Sequence, residues 1–409
     1  YFSLIIESPE LDILNKIRIY SKITFADFME TALYHPKGYY NSSNNISSQG
    51  DYFTSSVLHP SFAYLLTIQF RQMWKILGSP DEFWVIEMGS GTGHLGHEIS
   101  KFANIICNDF AMSFRYLSLD RYVSDSKFTE DYESIEHILT NSIPLKNIVG
   151  CFISNELVDS FPVHRFKILD KKIYEIYVSI DNRGEIKEVI DEASSDAIIK
   201  QIEPYVNYLP DGFEGEVNLK IEDWIRTISK SLLKGFVLTI DYGDIRSELY
   251  SQFRSRGTLQ TYYQHINSNN LFTKIGKQDI TAHVDFTSII ESGNLYGLKT
   301  LSYMLQSTYL NNLGIKKILY DLSKSDLSQY EYYKNRIAIM ELVKPQGLGG
   351  FKVVLQEMNT NIVDSKDLFN FDYNEINFKS PILNSNYLDL ADSRYSHQLD
   401  IKNFESYFI

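Results

Sequence analysis

Phe83-Trp84-Val85-Ile86-Glu87-Met88-Gly89-Ser90-Gly91-Thr92-Gly93 reads as a buried strand that reaches an acid and then runs through three alternating glycines into a helix-compatible segment. Glycine at a strand-to-helix turn bares the backbone, so a ligand can press against peptide where a Cβ would block it. A dinucleotide fingerprint places its third glycine three residues after the second, and that position here is His94. The third glycine instead comes two residues after the second, with Glu87 just ahead of the loop. That spacing suits a nucleoside with an amino-acid tail better than a pyrophosphate, and it is the pattern of enzymes that use S-adenosylmethionine. A glycine-rich turn alone can be no more than a tight connection, so the weight falls on what surrounds it.

Downstream, strand-like and helix-like segments alternate, which predicts an α/β fold with a parallel sheet and crossovers. Residues 115–119 read as a strand ending in Asp120, residues 148–154 as one ending in Asn155-Glu156, and residues 235–240 as one ending in Asp241-Tyr242-Gly243. Ligands of open α/β sheets sit at the carboxyl ends of the strands, so these polar ends are expected to line one crevice. Between the last two, residues 163–169, 172–179 and 185–190 read as antiparallel strands, with a turn at Asp181-Asn182-Arg183-Gly184. A helix follows, with Ile221, Trp224, Ile225, Ile228 and Leu232 on one face. Upstream, residues 11–35 look helical but broken near Thr24, a fair N-cap, and residues 60–77 look helical again. The expected division is an N-terminal helical cap over 1–80, a core over 81–358 carrying inserted segments near 163–232 and 250–330, and a polar tail over 359–409, read as an arm or partly disordered.

Composition narrows the classes. The chain has 409 residues and a formal charge of −13, which argues against a nucleic-acid surface and fits a cationic partner better than an anionic one. No apolar run approaches the roughly 18–20 residues of a membrane span, and residues 1–10 show no signal-peptide pattern. Cys107 and Cys151 share no motif spacing and read as reduced core residues. A bacterial cytoplasm and a mitochondrial matrix are equally compatible with this sequence, as are a monomer and a homodimer.

Several residues are candidates for chemistry. Asp120 would hold ribose hydroxyls through its paired oxygens. Asn155 faces the transferred group at its strand end, and Glu156 with Asp159 could together grip a guanidinium, because carboxylates accept its forked donors in pairs. The bland alternative is a helix N-terminus with favourable acids. His283 and His35 are the candidate bases should the acceptor be an oxygen. His94 and His97 are three apart on a helix face, but no further ligand cluster accompanies them, so no metal is expected.

With these residues in hand the chain resembles the MidA-type S-adenosylmethionine-dependent methyltransferases. The resemblance runs from about Ile23 to Gln356 and rests on Tyr34-His35-Pro36-Lys37-Gly38-Tyr39-Tyr40, Gly50-Asp51-Tyr52-Phe53-Thr54-Ser55, the glycine loop, Asn155-Glu156-Leu157-Val158-Asp159-Ser160-Phe161-Pro162, Ile240-Asp241-Tyr242-Gly243, Arg256-Gly257-Thr258-Leu259-Gln260-Thr261-Tyr262 and Asp279-Ile280-Thr281-Ala282-His283-Val284-Asp285-Phe286. It implies a class I, Rossmann-like sheet of seven mostly parallel strands with an N-terminal helical cap and inserted antiparallel strands. It also implies that S-adenosylmethionine lies over Gly89, Gly91 and Gly93, beside Glu87, Asp120 and Asn155, with Gly50, Asp51, Tyr52 and Thr54 folded over it. A protein arginine on a respiratory complex I subunit is the acceptor in at least one branch. Glu156, Asp159, Asn155 and His283 are the expected catalytic set. Ser56-Val57 stand where the family usually has Pro-Glu, and Thr92 replaces a common arginine. Those departures leave two alternatives open: O- or N-methylation of a small or carrier-bound acceptor, and a non-catalytic assembly factor retaining the fold. A nucleotide-dependent oxidoreductase is disfavoured by His94.

Overall fold

The computed structural model describes residues 8–41, 54–121, 136–140, 142–263, 266–268, 270–360, 362, 364–384 and 387. Seven strands form the central sheet: β1 (Phe83–Met88), β2 (Phe114–Asp120), β3 (Glu136–Leu139), β4 (Ile148–Asn155), β5 (Leu232–Asp241), β6 (Lys299–Leu305) and β7 (Lys352–Met358). Their order across the sheet is β6-β7-β5-β4-β1-β2-β3. All neighbouring pairs are parallel except those of β7, which runs antiparallel to both β5 and β6. The chain leaves β1 toward β2 on one side, while β4 flanks β1 on the other. A crevice therefore opens at the carboxyl ends of β1 and β4, where the strand order reverses.

The apolar runs explain why these strands are central. Val85, Tyr116, Cys151, Ile153, Phe236, Leu238, Ile240, Val353 and Leu355 pack on one face under helices Ser61–Ile76, His94–Ile106 and Gln329–Val343. Ile86, Leu117, Phe152, Val237 and Val354 point to the other, under helices Lys220–Ser231 and Phe286–Leu295. Both faces are thus covered, as a parallel sheet requires. Glycine fills the centre of this sheet for a packing reason. A Cβ on Gly235 (φ +146°) would stand 1.9 Å from the carbonyl oxygen of Gly150, and one on Gly150 1.9 Å from that of Trp84. Neither clash can be relieved by a side-chain rotation.

The inserted antiparallel strands are present as His164–Leu169, Lys172–Ile180 and Ile186–Asp191, joined by Glu214–Val217. Thr24 caps helix Phe25–Tyr34 through its hydroxyl as its position suggested, and the preceding helix Pro9–Tyr20 ends at Ser21, whose φ is +68°. These two helices pack on the inserted sheet through Ile13, Ile17, Phe25, Phe28, Val163 and Val178. Helix Ser61–Ile76 belongs instead to the core of the central sheet. The tail departs from a disordered reading over residues 364–384. Leu368 and Ile376 are buried, and Phe369, Phe371 and Phe378 pack against the same core, so apolar anchors spaced among the Asn and Asp residues hold it down. The Gln69 amide donates to the Leu368 carbonyl at 3.0 Å, and Arg71 pairs with Glu375 at 3.0 Å.

Gly235→Ala is expected to lower stability by about 3 kcal/mol or more, above the usual cost of overpacking, because backbone rather than side chain must move. Chemical denaturation would show it; a change within ~0.5 kcal/mol would contradict the packing reason.

Candidate functional site

The glycine loop begins where β1 ends. Gly89, Gly91 and Gly93 have φ of +74°, +53° and +73°, all left-handed, so the alternation is a backbone requirement. A Cβ on Gly89 would lie 2.6 Å from Leu157 Cδ1, which shows how closely the Asn155–Pro162 segment approaches the loop. The Gly89 and Ser90 amides donate to the Leu119 carbonyl at 2.9 and 3.3 Å. Asp120, at the end of β2, accepts the Gly91 N–H at 2.8 Å through Oδ2. The role expected of this acid was to hold ribose hydroxyls; in the structure both of its oxygens engage backbone, Oδ1 accepting the Arg121 N–H at 2.6 Å. Helix His94–Ile106 starts directly after Gly93 and aims its positive end at the loop, a setting that favours a ligand carboxylate.

Glu87 sits beneath that helix start. Its Oε2 accepts from the Tyr116 hydroxyl at 2.9 Å and from Ser118 Oγ at 3.4 Å, and burial pushes its carboxyl up to about 8. It braces β1 against β2, next to Gly96, whose Cβ would stand 2.4 Å from the Tyr116 ring.

The carboxyl ends of β4 and β5 bring three acids together. Asp241 is fully buried; its Oδ2 accepts the N–H groups of Val158 and Asp159 at 2.9 and 3.3 Å, and its Oδ1 that of Tyr242 at 2.9 Å. Its oxygens are occupied by backbone, and it ties the Asn155–Pro162 turn to β5. Glu156 adopts φ +53°, a left-handed conformation uncommon for a residue with a Cβ and one that gathers at functional sites. Its Oε1 accepts the Ser55 N–H at 3.0 Å and the Asn155 Nδ2 amide at 3.1 Å. Its Oε2 has no hydrogen-bond partner among the described residues. Asp159 is bound by the Tyr242 hydroxyl at 2.6 Å through Oδ2, while its Oδ1 is buried without a partner. Two acids therefore each keep one open oxygen, and no lysine or arginine among the described residues bonds to either.

Burial dominates the electrostatics. It pushes the Glu156 carboxyl up to about 8, with Asp159 adding repulsion. Burial also raises Asp159, and it raises Asp241 well above the carboxylate range, with Asp159 and Glu156 next in importance. Asn155 Oδ1 is a further buried acceptor without a partner, beside the cluster. A cluster of this kind is complementary to a cation.

The other expected residues fall as follows. Gly50, Asp51 and Tyr52 lie outside the described residues. Thr54 precedes the short helix Ser55–Leu58, its hydroxyl 2.8 Å from Ser56 Oγ, and it delivers the Ser55 amide to Glu156. Tyr34 places its hydroxyl 2.9 Å from the Ser160 carbonyl, so the tyrosine-rich segment borders the carboxylate turn. His283 packs edge-on against the Tyr242 ring at 5.5 Å, and burial with the nearby Arg254 charge lowers its imidazole to about 4. His35 accepts the Lys37 N–H at 3.1 Å at the end of helix Phe25–Tyr34. Among the described residues no group of His, Cys, Asp or Glu could hold a metal ion. Asp241 and Tyr242, expected at the crevice as a strand end but given no role there, and the Ser55 amide complete the site. The signal for Asp241 was available, since every buried strand run here closes on a polar or acidic residue.

Residues 65–304 match the model of a family described as "Putative S-adenosyl-L-methionine-dependent methyltransferase". The chain belongs to this methyltransferase family. The methyltransferase is 24% identical over 374 residues to "Protein arginine methyltransferase NDUFAF7, mitochondrial" of Rattus norvegicus, covering 82% of this chain and 81% of that one. The protein of the same name from Homo sapiens is 24% identical over 348 residues, covering 76% and 75%. Its fold is shared with a Burkholderia thailandensis protein whose crystal structure holds S-adenosyl-homocysteine, with a TM-score of 0.77, 24% identity, and 88% and 94% of the two chains covered. S-adenosylmethionine is therefore the cofactor, and the residues fit it: bare backbone at the loop, an acid on the second strand, and an open acceptor at Asn155. No helix among the described residues is long and apolar enough to cross a membrane.

Because the folded carboxyl of Glu156 is raised to about 8, its contribution to stability is fully present below the ordinary value of 4.5 and is lost as pH rises through 8. Glu156→Gln removes that loss. The variant should match the parent near pH 4.5 and exceed its stability above pH 8 by on the order of a few kcal/mol, read by urea denaturation of the ligand-free protein across pH. A difference independent of pH would contradict the burial of this acid.

Proposed function

We propose that this methyltransferase methylates arginine on a protein substrate. The observation that carries the reading is the pair of open carboxylate oxygens, Oε2 of the half-buried Glu156 and Oδ1 of the buried Asp159, to which no lysine or arginine among the described residues bonds. A guanidinium presents paired N–H donors and a delocalised charge, which two such oxygens match. The curated relatives named as protein arginine methyltransferases support the same acceptor, and a respiratory-complex subunit is the type the family resemblance implies.

Bound S-adenosylmethionine supplies an electrophilic methyl group on a sulfonium. Gly89, Gly91 and Gly93 would hold it by backbone, Asp120 by its ribose hydroxyls and Asn155 through Oδ1, with the segment containing Gly50, Asp51, Tyr52 and Thr54 covering it. The protein's work is alignment and proton management. An arginine side chain has a pKa of about 12.5 or more and arrives protonated. Glu156 Oε2 and Asp159 Oδ1 orient it, while Tyr242 and the Ser55 and Asn155 donors fix the two carboxylates through their other oxygens. Glu156, raised by burial, is the better proton acceptor of the two and takes the proton that the methylated nitrogen sheds. His283, lowered to about 4, is a poor general base at neutral pH, which weakens the oxygen-acceptor alternative.

Incubation with methyl-labelled cofactor and arginine-containing proteins should place label on guanidino nitrogens, read by mass spectrometry. Glu156→Gln should cut turnover by about 100-fold or more while the cofactor Kd changes by less than ~3-fold. Label confined to hydroxyl or carboxyl groups of small molecules would overturn the reading.

A further inference from the structure

Beyond Tyr242 the site changes sign. Asp244, three residues past the end of β5's Asp241, is approached by Arg254 Nη2 at 3.5 Å and by Lys352 Nζ at 3.6 Å, the latter from the first residue of β7. Both separations are long for charge-assisted hydrogen bonds, and the Tyr303 hydroxyl competes for the same acid at 3.3 Å. Two cations thus share one carboxylate. Arg254 Nη1 and His283 Nδ1 are both buried and have no hydrogen-bond partner among the described residues. Arg254, Asp244 and Lys352 all act electrostatically on the His283 ring, which places the four groups in one neighbourhood. The His283 ring in turn packs on Tyr242, whose hydroxyl holds Asp159, and Tyr242 packs on Phe351 at 5.4 Å.

A buried donor left unpaired costs about 1–3 kcal/mol, and a guanidinium N–H is among the more expensive to strand. This one is linked to the proposed acceptor's carboxylates through the His283 ring and Tyr242, whose hydroxyl holds Asp159. The element order makes it an acceptor-side feature: it sits at β5 and β7, away from the β1–β2 edge where Asp120 and the glycine loop lie. The His283 backbone is itself fixed, its N–H donating to Thr258 Oγ1 at 3.0 Å, and Thr258 is clamped by Glu216 through N–H and hydroxyl at 2.9 Å each. The neighbourhood is built rather than incidental.

We infer that Arg254, Lys352 and His283 form a carboxylate-binding subsite that selects acceptors bearing an acidic group close to the methylated cation. Arg254 Nη1 and His283 Nδ1 donate to the carboxylate oxygens, and Lys352 supplies charge. The acceptor is then read as a dipole, its cation on Glu156 and Asp159 and its anion on Arg254. The inference rests on the proposed arginine reading for the cation half. The carboxylate can belong to a Glu side chain or to a free chain end.

The test uses peptides with one arginine and a Glu placed at each of three positions on either side, against the same set with Gln, each made with an amidated and a free C-terminus. kcat/KM should favour Glu over Gln by about 10-fold or more at one position, chiefly through KM, the size expected of a charge-assisted pair. Arg254→Gln and Lys352→Met should each pull that ratio toward one. Because the ratio compares two substrates on the same protein, partial misfolding of a variant cancels. An advantage confined to free-acid peptides assigns the subsite to a chain end, and one retained in amides assigns it to a side chain. The subsite is also read without turnover, by calorimetric titration of the S-adenosyl-homocysteine complex with the best Glu peptide carrying norleucine in place of arginine. Binding that Arg254→Gln weakens supports the subsite even if no arginine is methylated, which would count against the arginine reading alone. Equal kcat/KM for Glu and Gln peptides at every position, with no norleucine-peptide binding above that of its Gln counterpart, overturns the subsite.

Discussion

The site depends on one carboxylate that takes no part in chemistry. Asp241 ends β5, next to the central strand of the sheet, and spends both oxygens on the N–H groups of Val158, Asp159 and Tyr242. Buried donors of this kind must be paired, and an acid at the strand end pairs three at once. The consequence is geometric. The turn after β4 is drawn onto β5, and Asp159 is set beside Tyr242, whose hydroxyl it binds. Without that tie, the two open oxygens would have no reason to share one place.

The arrangement is costly when empty. Two buried acids and the half-buried Glu156 lie together, none bonded to a lysine or arginine among the described residues, and desolvation raises all three. Left-handed backbone at Glu156 adds about 1 kcal/mol or more. Folding free energy is stored as a demand for positive charge. A sulfonium and a guanidinium are both positive, so on the proposed reading the cluster would suit donor and acceptor together, while Arg254 and Lys352 carry positive charge of the protein's own at Asp244. The chain's overall negative charge is uninformative beside this local pattern.

Much of this was legible in the residues. The apolar runs at β1, β2, β4 and β5 mark buried parallel strands, and the left-handed turns of Gly89, Gly91 and Gly93 follow from their spacing. Asp120 could be placed as the acid that ends the second strand, whereas its bond to the Gly91 amide was not foreseen. Other features resist such reading. Nothing local in Glu156 announces a positive φ, and the backbone partner of its N–H, the Ile240 carbonyl, lies far along the chain. Nor does Ser55 reveal that its amide will bind Glu156, because the contact joins segments a hundred residues apart. The packed tail over residues 364–384 was hidden by its Asn and Asp content, although Leu368, Ile376 and Phe378 sufficed to anchor it. The inserted sheet's strand Glu214–Val217 was missed because four residues with a central glycine carry little alternation.

The proton balance of acceptor binding is the most direct measure of the carboxylate seat. Calorimetric titration of the S-adenosyl-homocysteine complex with an arginine peptide at pH 7, repeated in buffers of different ionisation enthalpy, reports protons gained or lost. Glu156, raised to about 8 when empty, is mostly protonated there and must ionise against a guanidinium, so release of about one proton per peptide is predicted, and release should vanish in Glu156→Gln. Binding with no proton change, or with uptake, would contradict a buried acid pair as the seat of the acceptor's charge.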